Sequence, residues 1–276
     1  MTSSAITSTV TGGAGNRTRT TSFANTLASE WSKMASLRAT HLTLALGFFL
    51  SVATSAIAAF AMGASNAEWP TEFDPILFSM VGNIFALIVF SVFGVLAVSR
   101  EYTSGMIRLS LVATPNRSRI LVAKLLLVGG ITLVVGMLTT ISMFLVGQTI
   151  LGAYGLPHAT LADPNARWVV FGLGATMAFF PILGLAFGVL LRSTAGGITT
   201  VLGILWLPQI FSAVAPLWAR EHIISLMPGT ALDSLTIGQM KYAPEYSATS
   251  LAAVLVTGWL LAIVGAAFLF LRQRDA

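Results

Sequence analysis

The stretch Arg100–Lys124, REYTSGMIRLSLVATPNRSRILVAK, decides how this chain folds. Arg100, Glu101, Arg108, Arg117, Arg119 and Lys124 crowd into it, whereas the apolar runs on either side, Pro75–Val98 and Ile120–Ile150, hold no other charge. A charged residue costs roughly 2.5–3.5 kcal/mol at the centre of a bilayer, so the segment belongs at a membrane surface between two spans. Within it, Tyr102, Met106, Leu109 and Ala113 recur at helical spacing on one face. Glu101, Ser104, Gly105 and Arg108 fall at i, i+3, i+4 and i+7 on another. The pattern predicts a short helix with one apolar and one polar side, ended at Thr114-Pro115 because proline disfavours a helical conformation in the residue before it.

Composition carries the same reading to the whole chain. It is 55% hydrophobic and 9% charged, against about a quarter charged in soluble domains. Stretches long enough to cross about 30 Å of hydrocarbon as helices occur at Leu42–Met62, Pro75–Val98, Ile120–Ile150, Trp168–Leu191, Ala195–Leu217 and Ser250–Leu271. Six such spans leave no room for a separate soluble domain, and they predict an all-α membrane protein with a permease domain over residues 23–272. The positive balance is sorted by side rather than gathered in a nucleic-acid patch. Twelve of the fifteen cations lie before the first span, at 100–124, at Arg192 or at the C-terminus, while seven of the ten acids lie in the opposite loops. By the positive-inside rule both termini are cytoplasmic in a multi-pass protein of the cell membrane.

The pattern Glu101-Tyr102-x-x-Gly105, an apolar helix, Pro115-x-x-Ser118-Arg119 and then Ala123-Lys124 resembles the permease subunits of ABC-2-type transporters. This sequence departs from the commonest form of that pattern in having Met106 after the glycine. The resemblance implies a six-span fold in which this segment is a cytoplasmic coupling helix resting in a groove of a separate ATP-binding subunit. Glu101, Tyr102, Ser104, Gly105 and Arg108 are then the contact residues for that ATPase. It further implies a second permease copy or a related permease as partner, ATP and magnesium bound on the partner ATPase rather than here, and export as the direction. An ordinary basic loop at the inner leaflet is the alternative reading of the segment. A non-transporting membrane anchor or sensor subunit is the alternative for the chain.

Residues 1–22 are Ser, Thr or Gly at fourteen positions, too little apolar surface to fold, and they predict a disordered tail with no cleaved leader. Phe23, Leu27, Trp31 and Met34 then share one helical face, with Ser29, Glu30, Lys33 and Ser36 opposite. That arrangement fits a helix lying along the inner leaflet, similar to the elbow helix of the same family, or else a plain extension of the first span. The Leu191–Thr194 turn is so short that its two spans must be antiparallel neighbours. In 218–249, two apolar pieces, Ile223–Met227 and Ala231–Ile237, flank Pro228-Gly229, and each is too short to span. They predict two short helices joined by a turn, dipping into the outer leaflet as a gate or as a packed cap.

Chemistry of its own is hard to place on this chain. No Gly-x-x-x-x-Gly-Lys-Ser/Thr loop is present to hold nucleotide phosphates, and the sequence has no cysteine and no clustered metal ligands. The spans lack Asp, Glu or His in their middles, which disfavours proton- or sodium-coupled transport. Glycines such as Gly129, Gly130, Gly136, Gly184, Gly188, Gly258 and Gly265 suit close helix packing. Pro181 and Pro208 predict kinks in the fourth and fifth spans. Asn83 and Gln209 are amides inside spans that need partners, either a neighbouring helix or a substrate. With Phe85, Trp206 and Phe211 they are the candidate substrate-path residues, since the resembled family lines its path partly with the first, second and fifth spans.

Overall fold

The computed structural model describes residues 22–65, 73–103, 117–238 and 243–273, and every regular element among them is helical. The order is α1 (Phe23–Ser36), α2 (Arg38–Ala64), α3 (Pro75–Ser79), α4 (Asn83–Thr103), α5 (Arg117–Ala153), α6 (Pro164–Thr176) and α7 (Phe179–Leu191). There follow α8 (Thr194–Ser212), α9 (Leu217–His222), a 3-10 turn (Ile224–Leu226), α10 (Pro228–Thr236) and α11 (Thr249–Gln273). Six helical stretches are long and apolar enough to cross a membrane: α2, α4, α5, α6 with α7, α8 and α11. All of the predicted tail 1–22 except Ser22, and Ser104–Asn116 of the charged segment, lie outside the described residues.

The centre of the bundle is α7, buried from Phe179 through Val189 apart from Ile182. It lies against α4, α8 and α11. The α4–α7 crossing is a backbone contact. A Cβ on Gly94 would stand 2.0 Å from the Pro181 carbonyl oxygen, and one on Gly184 would stand 2.6 Å from the Ser91 carbonyl oxygen. Small residues here are therefore a condition of the packing. Gly188 and Gly136 are likewise filled by Val98 and Met177, whereas Gly130, Gly258 and Gly265 face open space. Large apolar side chains stay exposed along α2 (Leu42, Leu46, Phe49, Ile57, Phe60) and α11 (Leu251, Val254, Leu261), as lipid-facing surfaces do.

Two spans are interrupted. Asp74 caps α3, its Oδ1 accepting from the amides of Ile76 (2.8 Å) and Leu77 (3.2 Å), with Pro75 in the first turn. The chain then turns at Met80–Gly82 before α4, and the Gly82 amide is satisfied by Ser55 Oγ at 3.1 Å. The fourth span breaks at Met177–Ala178, where Pro181 has no N–H to offer the carbonyl four residues back. Pro208, by contrast, is carried inside a continuous α8.

Three expectations need correction. In α1 the buried side is Thr26, Glu30 and Met34, while Phe23 and Trp31 point outward. The acid predicted to face solvent is turned inward because cations await it there. In 218–249 the piece before Pro228 forms only a 3-10 turn, and Pro228-Gly229 opens α10 instead of separating two helices. Proline at the first helical position has no donor to lose and carries a helix-compatible φ. The fifth span ends at Ser212, short of Leu217, and Pro216 starts the next element.

Candidate functional site

At the end of the bundle where α1 packs on α5, four charged side chains from three helices form one cluster. Lys124, on α5, places Nζ 2.6 Å from Glu30 Oε2 of α1 and 2.8 Å from Glu101 Oε1 of α4. Lys33 closes the ring, 2.6 Å from Glu30 Oε1 and 3.6 Å from Glu101 Oε1. Lys124 also donates to the Ala97 carbonyl at 3.3 Å, which satisfies the last turns of α4. Glu30 and Lys124 are 2% and 3% exposed, Glu101 12%. Burial alone would push the Glu30 carboxyl up, but the charges and hydrogen bonds of Lys124 and Lys33 outweigh it and hold Glu30 below the ordinary carboxylate range. Burial likewise works against the charge on Lys33, yet Glu30 and Glu101 raise its pKa. The cluster is electrically balanced, two carboxylates against two ammonium groups.

Tyr102, one residue on, lies under Arg192, whose guanidinium carbon is 5.7 Å from the ring centroid. Arg192 takes the left-handed conformation (φ 48°) and its amide closes α7 onto the Gly188 carbonyl at 3.1 Å. Ser193 Oγ then accepts from the Gly196 amide at 3.2 Å to start α8. The tight fourth-to-fifth turn is thus pinned beside the point where the chain leaves α4 for residues 104–116. Glu101, expected on a stripe facing outward with Ser104, Gly105 and Arg108, instead points into the bundle, where together with Glu30 it balances Lys124 and Lys33. Ser104, Gly105 and Arg108 lie outside the described residues.

Toward the α10 end lies a cavity of about 320 Å³. Asn83, Ile84 and Leu87 of α4, Thr176 of α6, Phe180 of α7, Leu205, Trp206 and Gln209 of α8, and Gly229, Leu232 and Asp233 of α10 contribute to its wall. The structure therefore brings Asn83, Trp206 and Gln209 to one space. Phe85 is only half-buried and stands off that wall, and Phe211 is 56% exposed on the outer side of α8. No residue of α2 lines the cavity. Gln209 Nε2 donates to Asp233 Oδ2 at 3.0 Å, while Asn83 Oδ1 is buried with no hydrogen-bond partner among the described residues. Burial pushes the Asp233 carboxyl up to about 6, with Gln209 pulling it back and Glu245 adding to the rise. Gln148, the third amide, is fully engaged: its Nε2 donates to the Pro75 carbonyl and Ser79 Oγ, both at 2.7 Å, and its Oε1 accepts from the Ala159 amide at 2.6 Å.

Sequence reading missed Glu30 and Asp233. Glu30 could have been found: Lys124 sits seven residues inside α5, about 10 Å along the axis, and the acids available on its side of the membrane are few. Asp233 looked like one of several loop acids until α10 folded back against α8. Among the described residues no cluster of His, Cys, Asp and Glu could hold a metal.

A family model described as "ABC-2 family transporter protein" matches residues 26–206. No curated protein matches the chain. The matched region holds α1 from Thr26 on, five of the six spans down to Trp206, the charge cluster and the Arg192 turn. The chain belongs to the ABC-2 transporter family and is a multi-pass membrane component of an ABC transporter.

Proposed function

We propose that the chain is the pathway-forming permease of an ATP-driven exporter, working with a separate ATPase chain and with a second permease copy or a related permease. ATP and magnesium are held by the ATPase. The observation that carries this reading is the Glu30–Lys33–Glu101–Lys124 cluster, which ties α1, α4 and α5 together where the chain enters residues 104–116. A segment that only marked topology would need no such base. In this reading residues 104–116 dock on the ATPase through Ser104, Gly105 and Arg108, and Glu101 and Tyr102 fix the docking segment to the spans. Movement of the ATPases then reaches α4, α5 and the α8 hairpin as rigid bodies. The cavity containing Asn83, Trp206 and Gln209 is part of the substrate path, and its presence favours transport over a bare anchor.

The experiment is co-purification of a P-loop ATPase with the tagged chain, together with substrate-stimulated hydrolysis. Glu101→Ala combined with Arg108→Glu should insert normally yet lose the ATPase or its stimulation. Wild-type values for both in the double variant, or ATP turnover by the isolated chain, would sink the proposal.

A further inference from the structure

Among the described residues the wall of the cavity carries a single formal charge, and it is negative: Asp233, with no described lysine or arginine beside it in the lining. The nearby base Arg220 is already committed to Glu245, donating from Nε at 3.1 Å and from an Nη at 2.7 Å. Gln209 commits one of its two amide N–H groups to Asp233. The charge that the cavity offers a ligand is therefore the Asp233 carboxylate, with the Asn83 amide on the same wall, set in apolar surface that includes Trp206 and Phe180. We propose that this site takes an apolar organic cation, its ammonium or guanidinium group against Asp233 and Asn83 and its hydrocarbon body against Trp206 and Phe180. The assignment rests on the cavity being part of the substrate path.

The physics favours that sign of charge. A carboxylate out of water without a full counter-ion is costly, and a ligand cation removes the cost as it binds. The raised pKa of Asp233, about 6, reports that cost. An indole face within about 6 Å of a cation adds attraction of its own. A volume of about 320 Å³ falls at the small end of ligand sites, so the ligand is compact.

The chain has no cysteine, so Thr176→Cys on the cavity wall can be labelled alone in the full chain in lipid nanodiscs. Benzyltrimethylammonium, its uncharged carbon isostere neopentylbenzene and benzylsulfonate are the probes, and protection from labelling is the readout. The cation should protect at concentrations at least tenfold below the neutral isostere, and the anion should not protect. Asp233→Asn should erase that tenfold preference, and Asp233→Glu, which keeps the charge, should retain it. Equal protection by cation and isostere, unchanged in Asp233→Asn, would overturn the cation assignment while leaving the cavity as a path. Labelling that no probe slows, with wild-type flux in Trp206→Ala, would overturn both.

Discussion

The two ends of this bundle bury charge in opposite ways. At the α1 end, two carboxylates meet two lysines within 3.6 Å and Glu30 is held below its ordinary pKa. Toward the α10 end, among the described residues, the Asp233 carboxylate has an amide rather than a cation as its hydrogen-bond partner and is pushed up to about 6. Balanced charges in a dry place fix geometry, since each partner left alone would be expensive. An unbalanced one stores a demand that something else can meet. The first is what a mechanical junction needs, and the second is what a binding site needs.

The largest effect that tests this contrast is expected from Lys124→Met. It strands Glu30 and Glu101 with Lys33 alone, and removing one member of a buried pair costs about 3–5 kcal/mol. Tryptophan-monitored thermal unfolding in detergent should show the loss. Glu30→Gln with Glu101→Gln in the same chain should recover most of it, and no recovery would mean that packing of the lysine stem, not charge, is what α5 supplies. Next in size, Gly94→Val places atoms where the Pro181 carbonyl stands. It should lower the yield of monodisperse protein several-fold, whereas Gly258→Val, facing open space, should leave yield unchanged.

A smaller effect of opposite sign is expected at Asp233. Its pKa is raised on folding, so the stability linked to its protonation is full below about pH 4 and is lost as pH rises through about 6. Asp233→Asn should therefore melt a few degrees above wild type at pH 7.5, roughly the shift that 1 kcal/mol gives in a chain of this size. The gap should close as pH falls to 4. Glu30 runs the other way: its contribution is present above its unfolded pKa and is lost as pH falls through its lowered folded value. A wild-type advantage at pH 7.5 would place Asp233 among the balanced groups and erase the contrast. Smallest of all, Arg192→Ala should cost about 0.5–1 kcal/mol as the cation over Tyr102 is removed, with the left-handed backbone unrelieved because alanine keeps its Cβ. Tyr102→Leu should show the same coupling loss, and a double-mutant cycle would isolate it.

Much of the fold was legible because a span announces itself by length and hydropathy, and because the break near Pro181 follows from a missing donor. The Leu191–Thr194 turn was legible for the same kind of reason, since so few residues allow little else. What stayed hidden depends on neighbours distant in sequence. Glu30 reads as the polar side of an amphipathic α1 until Lys124 is known to lie beneath it. Pro228-Gly229 reads as a turn until Met227 is seen to start a helix there. The path candidates divided on the same principle. Asn83, Trp206 and Gln209 share a cavity because α4 and α8 both pack on α7, whereas Phe85 and Phe211 are close in sequence and point elsewhere.

The α4–α7 crossing has a consequence for how the bundle can move. Where the Gly94 Cα faces the Pro181 carbonyl, no side chain lies between the two backbones to act as a bearing. Helices in such contact resist sliding, because any slip drives main-chain atoms into one another, and they are left to rock together like crossed levers bolted at one point. The compliant joints in those levers are the two interruptions, Met80–Gly82 ahead of α4 and Met177–Ala178 ahead of α7. Both lie on the same side of the bolt, one at the cavity's rim through Met80 and the other next to Thr176 on its wall. In the proposed exporter, a push delivered at the charged end would be carried as rotation through a stiff stem and spent as bending where the cavity lies.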